Sequence, residues 1–204
     1  YTLGQAIKAM DEIKKEVLDV RFTTSLSGTA KDYEESSNTL VYAFVLALIL
    51  VYLILAAQFE SFRDPLIIML TVPLALAGAV LALWLFGQTL NIFSQIGIIM
   101  LVGIVTKNGI LIVEFANQYK AQGMQLVEAA VSAASQRLRP ILMTSFATIL
   151  GALPIALALG ASAQSRVSMG ITIIGGLIFS LILTLIVIPS LYTLISSKKI
   201  KKYD

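Results

Sequence analysis

Hydrophobic positions along the 204-residue chain change period twice. In the first segment Leu3, Ala6, Ile7, Met10, Ile13 and Val17 recur at helical spacing, with Asp11, Glu12, Lys14 and Lys15 on the opposite face. Thr2 followed three residues later by Gln5 has the form of a capping box, which satisfies free N–H groups at a helix start. Val20, Phe22, Thr24 and Leu26 then alternate with Arg21, Thr23 and Ser25, the period of a strand, and Ser27-Gly28 ends the run. One helix and one strand do not close a core in about 30 residues. Residues 1–38 are therefore expected to be the tail of a larger α+β domain.

From Thr39 onward the pattern becomes continuous. Five apolar runs, roughly Thr39–Ala57, Pro65–Phe86, Phe93–Gln118, Pro140–Leu159 and Met169–Ile195, are each long enough to cross about 30 Å of hydrocarbon as a helix. The expected fold is an all-α polytopic membrane bundle of five transmembrane helices over residues 39–195, carrying the short α+β tail outside the bilayer. Between the third and fourth runs, at about 123–138, Val127, Val131, Ala134 and Leu138 share one helical face. Gln125, Glu128, Ser132 and Gln136 take the other, as in a helix lying on the membrane surface. Pro73, Pro154 and Pro189 read as kinks, and Gly78, Gly97, Gly103, Gly109, Gly175 and Gly176 as points of close helix approach.

Composition agrees with this pattern and excludes several chemistries. The chain is 57% hydrophobic and 13% charged, against about 45–50% and about 25% for soluble domains. With no His and no Cys it has no Ser–His or Cys–His nucleophile, no imidazole or thiolate metal site and no disulfide. No cofactor is expected. The net charge of +3 is not that of a nucleic-acid groove, because its position follows the membrane. Residues 1–38 hold five Lys/Arg and seven Asp/Glu. Beyond them, Arg63, Lys120, Arg137, Arg139, Lys198, Lys199, Lys201 and Lys202 fall on one side of the five runs and only Arg166 on the other. The positive-inside rule then makes the basic tail, 196–204, cytoplasmic and residues 1–38 external.

Two charged residues lie within the runs, Lys107 and Glu114. A lysine at mid-helix costs about 2.5–3.5 kcal/mol on insertion scales and reaches neither interface easily, which points to ion coupling or proton relay inside a helix bundle. It needs a carboxylate partner, or desolvation discharges it. Glu114 is seven residues on, about 10 Å along the axis, too far for a direct pair. Partner carboxylates are thus expected outside these 204 residues. Glu114 itself fits an interfacial structural role as well as a relay role. Thr106 and Asn108 flank the lysine, and Thr144 and Ser145 lie one turn into the fourth run; their hydroxyls have self-bonding to the helix as the competing explanation. Arg137 and Arg139 are positive-inside flanks, and Arg137 also stands where a proton path would open.

At these residues the chain resembles the resistance-nodulation-division (RND) multidrug efflux pumps. Thr106-Lys107-Asn108-Gly109-Ile110-Leu111-Ile112-Val113-Glu114-Phe115-Ala116-Asn117 is similar to their lysine-bearing span. Arg137-Leu138-Arg139-Pro140-Ile141-Leu142-Met143-Thr144-Ser145 is similar to the block that follows it, and Ala57-Gln58-Phe59-Glu60-Ser61-Phe62 to the turn after the eighth helix. The resemblance covers essentially the whole chain. It implies helices eight to twelve of a twelve-helix fold with the last piece of a periplasmic porter domain at 1–38. The working protein would be a bacterial inner-membrane proton/drug antiporter that exports hydrophobic or amphiphilic compounds and confers multidrug resistance. By resemblance Lys107 pairs with two aspartates in an N-terminal half, and Arg137 and Thr144 join the proton relay. Asn108 and Glu114 have a weaker claim. Gly109 stands where the family often has Ala. The lysine argues for the hydrophobe/amphiphile subfamily and against heavy-metal exporters. Implied partners are two further copies in a homotrimer, a periplasmic adaptor, an outer-membrane channel and membrane lipid. The alternative is a superfamily accessory that uses proton flow for protein or lipid export. A Ser/Lys intramembrane hydrolase is a weaker rival, since no serine lies at i±3 or i±4 from Lys107. A purely structural bundle is the remaining one.

Overall fold

In a computed structural model, which describes residues 3–18, 22, 24–159 and 166–196, the regular elements among the described residues are all helices. They are α1 (Leu3–Val17), α2 (Thr29–Phe59), α3 (Arg63–Met69), α4 (Thr71–Leu85), α5 (Ile92–Ala121), α6 (Leu126–Ala156) and α7 (Val167–Ile195). Five segments are long and apolar enough to cross a membrane: Thr39–Phe59, Arg63–Leu85, Ile92–Ala121, Leu126–Ala156 and Val167–Ile195. These overlap all five apolar runs. The chain divides into two units, 1–43 and 44–204.

In the first unit α1 forms as its periodicity predicts, with Lys14 and Lys15 in its last turn, where cations complement the helix dipole. Thr2 lies outside the described residues. The α+β tail is not formed: no strand occurs among the described residues, and Phe22 and 24–27 are irregular. Val20, Arg21 and Thr23 lie outside the described residues. A strand is stabilised by its ladder, and the described residues supply no second strand to pair with, so alternation alone does not suffice. The apolar face of α1 stays uncovered, with Met10, Ile13 and Val17 exposed. It borders a cleft of roughly 610 Å³ whose other wall is Thr24, Ser25 and Leu26.

The second unit is held by small residues that let backbones approach. A Cβ on Gly78 would fall 2.3 Å from Phe179 Cβ, one on Gly175 2.1 Å from Ala82 Cβ, and one on Gly176 2.2 Å from Leu101 Cδ2. The α4–α7 contact therefore tolerates no side chain at Gly78 or Gly175, while Gly176 is pressed by Leu101 of α5 and, at 3.1 Å, by Ala75 O of α4. Around it Ala75, Ala79, Leu101, Val105 and Leu177 form one core cluster. Ile67, Ile68, Ile112, Val113, Ile188 and Tyr192 form the larger one, which Leu55 and Phe59 of α2 join. Gly97 and Gly109 are likewise closely approached, by Met169 and Thr172 and by Ile68 and Ile188. Gly103 and Gly151 are not: nothing lies within 4 Å of a Cβ at either.

The second apolar run is broken at Leu70 into α3 and α4. Pro73 has no N–H to bond the carbonyl of Met69, and Thr71 Oγ1 instead bonds Ile68 O at 2.6 Å. The amphipathic stretch and the fourth run form one continuous helix, α6, which contains Pro140 and Pro154. In its first half Ala129, Ala130 and Ala133 are buried while Val127, Val131 and Leu138 are exposed, so the larger apolar stripe faces away from the bundle. At the start of α5, Asn91 Oδ1 accepts from Ser94 N (2.9 Å) and from Ser168 Oγ (2.9 Å), and Ser94 Oγ accepts from Asn91 N (2.8 Å). This capping box thereby also ties α7 to α5.

Candidate functional site

Lys107 is the sixteenth residue of the 30-residue helix α5. At about 1.5 Å per residue it is more than 20 Å from either end. Its neighbours Thr106 and Asn108 are buried, whereas Lys107 is exposed, sharing an outward face with Met100 and Gly103. Among the described residues Lys107 makes no ion pair. The bundle thus builds a cation into the middle of an apolar wall and leaves its ammonium outside.

Asn108 Nδ2 approaches Ser145 Oγ of α6 at 3.5 Å, a weak bond between buried side chains. It brings the two blocks singled out in sequence to one level. Thr144, beside Ser145, is exposed like Lys107 and donates to its own helix, to Pro140 O (3.1 Å) and Ile141 O (3.2 Å). Thr106 does the same with Val102 O (2.8 Å) and Gly103 O (3.2 Å). Both hydroxyls therefore have donors already engaged while their lone pairs remain able to accept.

Glu114 and Arg137 lie at a different level, seven and more residues along. Glu114 is half-buried and accepts from Gln118 Nε2 at 3.1 Å rather than from any cation. The Arg137 guanidinium stacks over the Phe115 ring, 3.4 Å from its centroid, and its buried Nε has no hydrogen-bond partner. Phe115 also meets Tyr119 edge to face, and Tyr119 donates to Gln136. Arg139 is exposed. The structure therefore gathers Lys107, Asn108, Ser145 and Thr144 at one height and Glu114 and Arg137 at another, with no direct bond between the two groups among the described residues.

One cluster escaped the sequence reading. Asp64, placed just outside the second run, is only 8% exposed, and its Oδ2 accepts from Asn117 Nδ2 at 3.1 Å. Asn117 Oδ1 in turn accepts from the hydroxyl of buried Tyr192 at 2.6 Å. A carboxylate immediately ahead of the Pro65 that opens the run was the available signal. Starting the span at the proline hid it.

Residues 1–196 match the family described as AcrB/AcrD/AcrF. The chain belongs to that family. Its membership places it with the RND-superfamily transporters rather than with enzymes. An uncharacterized transporter of Haemophilus influenzae (strain ATCC 51907 / DSM 11121 / KW20 / Rd) is 42% identical over 202 residues, covering 96% of this chain and 20% of the relative. A crystal structure of a heavy metal efflux pump superposes with a TM-score of 0.81 at 30% identity, over 95% of this chain and 20% of that one. The chain thus spans about a fifth of the length of these relatives. Similarity of this order to a metal exporter means that the bundle alone does not separate the two subfamilies that Lys107 was expected to divide.

Proposed function

We propose that this chain is the lysine-bearing part of a proton-driven exporter in a bacterial inner membrane. The observation that carries the reading is Lys107, at mid-helix on an apolar wall, outward-facing and with no carboxylate bonded to it among the described residues. In hydrocarbon such a cation is costly, and partners that neutralise it remove most of that cost. The wall is thus a surface for further protein, and the relatives, about five times as long, have the chain to supply it.

In this reading Lys107 pairs with carboxylates on spans outside these 204 residues. When those carboxylates take up protons the pair breaks, and the ammonium turns to acceptors on this chain. Asn108 and Thr144 stand at its level, and the lone pairs of Thr144 are open to it. Arg137, held by Phe115, and Glu114, held by Gln118, mark the exit of the path at the end bearing the basic loops. Two pairing states then bias two helix arrangements, which drive domains outside the membrane. The positive-inside pattern supports a cytoplasmic C-terminus and an external 1–38. The proposed cargo is hydrophobic or amphiphilic compounds, carried by a homotrimer with a periplasmic adaptor and an outer-membrane channel. Metal-ion export is the second reading, favoured by the likeness to the heavy metal efflux pump.

The test uses the complete protein in proteoliposomes under an imposed proton gradient, with a fluorescent amphiphilic cation and a divalent or monovalent metal ion as parallel cargoes. Wild type is expected to move the dye, and Lys107→Ala to reduce transport to background while assembling normally. Full transport by Lys107→Ala would overturn the relay, and movement of metal alone would select the second reading.

A further inference from the structure

We propose that Asp64, Asn117 and Tyr192 form a clasp across α3, α5 and α7 through which movement of α5 is passed to its two neighbours, with Asp64 as a positioning residue. The inference rests on the transport reading above and concerns residues outside the relay.

The three side chains can be arranged in only one way. A carboxylate only accepts, so Asn117 must turn its Nδ2 toward Asp64. That leaves Asn117 Oδ1 facing Tyr192, whose hydroxyl must donate, and does so at 2.6 Å. Each bond thus orients the next, which is the circumstance in which buried polar networks specify a single arrangement. Asp64 is 8% and Tyr192 1% exposed, so neither has water as a ready substitute. Lys120, one turn beyond Asn117 on α5, is near enough to Asp64 for their charges to attract.

Position gives the clasp its role. Asn117 is ten residues past Lys107 on the same helix, about 15 Å along it. Between them Gly109 lets α5 lie directly against the same two helices, since a Cβ there would sit 3.0 Å from Ile68 Cγ2 of α3 and 3.2 Å from Ile188 Cδ1 of α7. The helix carrying the lysine is therefore held to α3 and α7 at two heights, once by packing and once by hydrogen bonds. On the receiving side, α3 is seven residues long and is separated from α4 by the break at Leu70. No backbone bond from Pro73 stiffens that break. Leu70 itself keeps helical angles (φ −64°, ψ −15°) and bonds Leu66 O at 3.1 Å, so the clasp holds the Asp64 end of a segment that runs on towards α4. Asn117 also borders a polar cleft of roughly 570 Å³ with Gln58, Glu114, Gln118 and Gln122, so the clasp stands where the buried interior meets the surface.

The experiment compares Asp64→Ala, Asn117→Asp, Tyr192→Phe and the exchange Asp64→Asn with Asn117→Asp in the complete protein, reading maximal transport rate, cargo KM and thermal unfolding midpoint. Asp64→Ala and Asn117→Asp are expected to lower the maximal rate about tenfold with KM unchanged, and Tyr192→Phe about threefold, because coupling is weakened while the cargo site is untouched. The exchange keeps a donor facing an acceptor and should recover the rate to within about threefold. Wild-type rates in Asp64→Ala, or no recovery in the exchange, overturn the proposal. If Asp64→Ala fails to reach the membrane, Tyr192→Phe decides: an unchanged rate refutes the clasp. If wild type itself moves no cargo, the transport reading fails separately. The clasp is then judged by the unfolding midpoint, which the exchange must restore and which additive losses would refute.

Discussion

Asn108 and Ser145 meet at 3.5 Å across the α5–α6 contact, and their sequence neighbours Lys107 and Thr144 consequently face outward at the same height. The bond is weak, and Ser145 can turn to its own helix if it is lost. Asn108→Ala is expected to cost about 0.6 kcal/mol, the usual size of an interhelical bond in a membrane bundle, read as a shift in unfolding midpoint in detergent. A loss above about 2 kcal/mol would show a larger structural role.

Thr144 separates fold from function more cleanly. It is exposed and bonded only to its own helix, so Thr144→Val should change stability by less than about 0.5 kcal/mol. If its hydroxyl accepts from Lys107 in one pairing state, proton-driven transport by the complete protein falls while the unfolding midpoint holds. Unchanged transport would remove Thr144 from the relay.

The glycines divide by what surrounds them. Gly175→Ala would set two Cβ atoms 2.1 Å apart on α4 and α7, and backbone must move to relieve it, at about 1–3 kcal/mol. Gly103→Leu meets open space in this chain and should leave its stability unchanged or raised by about 1 kcal/mol, Leu being the better helix former. In the complete protein the same substitution is expected to disrupt assembly or transport, because the wall around Lys107 would be covered by protein. Wild-type behaviour there would place lipid, not protein, against Gly103.

Arg137 stacks on Phe115 at 3.4 Å. Arg137→Lys preserves the charge but not the planar stack, and Phe115→Leu preserves apolar bulk but not the ring. Each should destabilise by about 0.5–2 kcal/mol, and the double variant by no more than the larger single loss. Additive losses in thermal unfolding would mean that the two residues do not act on each other.

Asn91 serves three bonds at the start of α5. Asn91→Ala is expected to cost about 1–2 kcal/mol, and Asn91→Ser to regain the cap to Ser94 N but not the reach to Ser168. Hydrogen exchange at the first turns of α5 and α7 provides the measurement, and protection unchanged in α7 would refute the tie between the two helices.

Much of this arrangement was legible along the chain because a membrane span needs only length and apolarity. Lys107 stood out for the same reason: so few charges lie in the spans that one at mid-helix is conspicuous. The glycines were less informative. Gly78 and Gly103 read alike, yet one is pressed against Phe179 and the other faces open space. Periodicity reports that a face exists, not what occupies it. Alternation from Val20 to Leu26 suggested a strand, but none of the described residues forms a second strand to pair with it.

The sequence by itself determined that the chain holds five helical segments long and apolar enough to cross a membrane and that a lysine sits at the middle of one of them, since both follow from local apolarity over one turn or one span. Only the tertiary structure decided that Lys107 faces outward, that α6 runs unbroken, and that Asp64, Asn117 and Tyr192 meet. These are relations between helices. Their contacts join residues as far apart as 75 positions, and nothing local to either partner encodes the other.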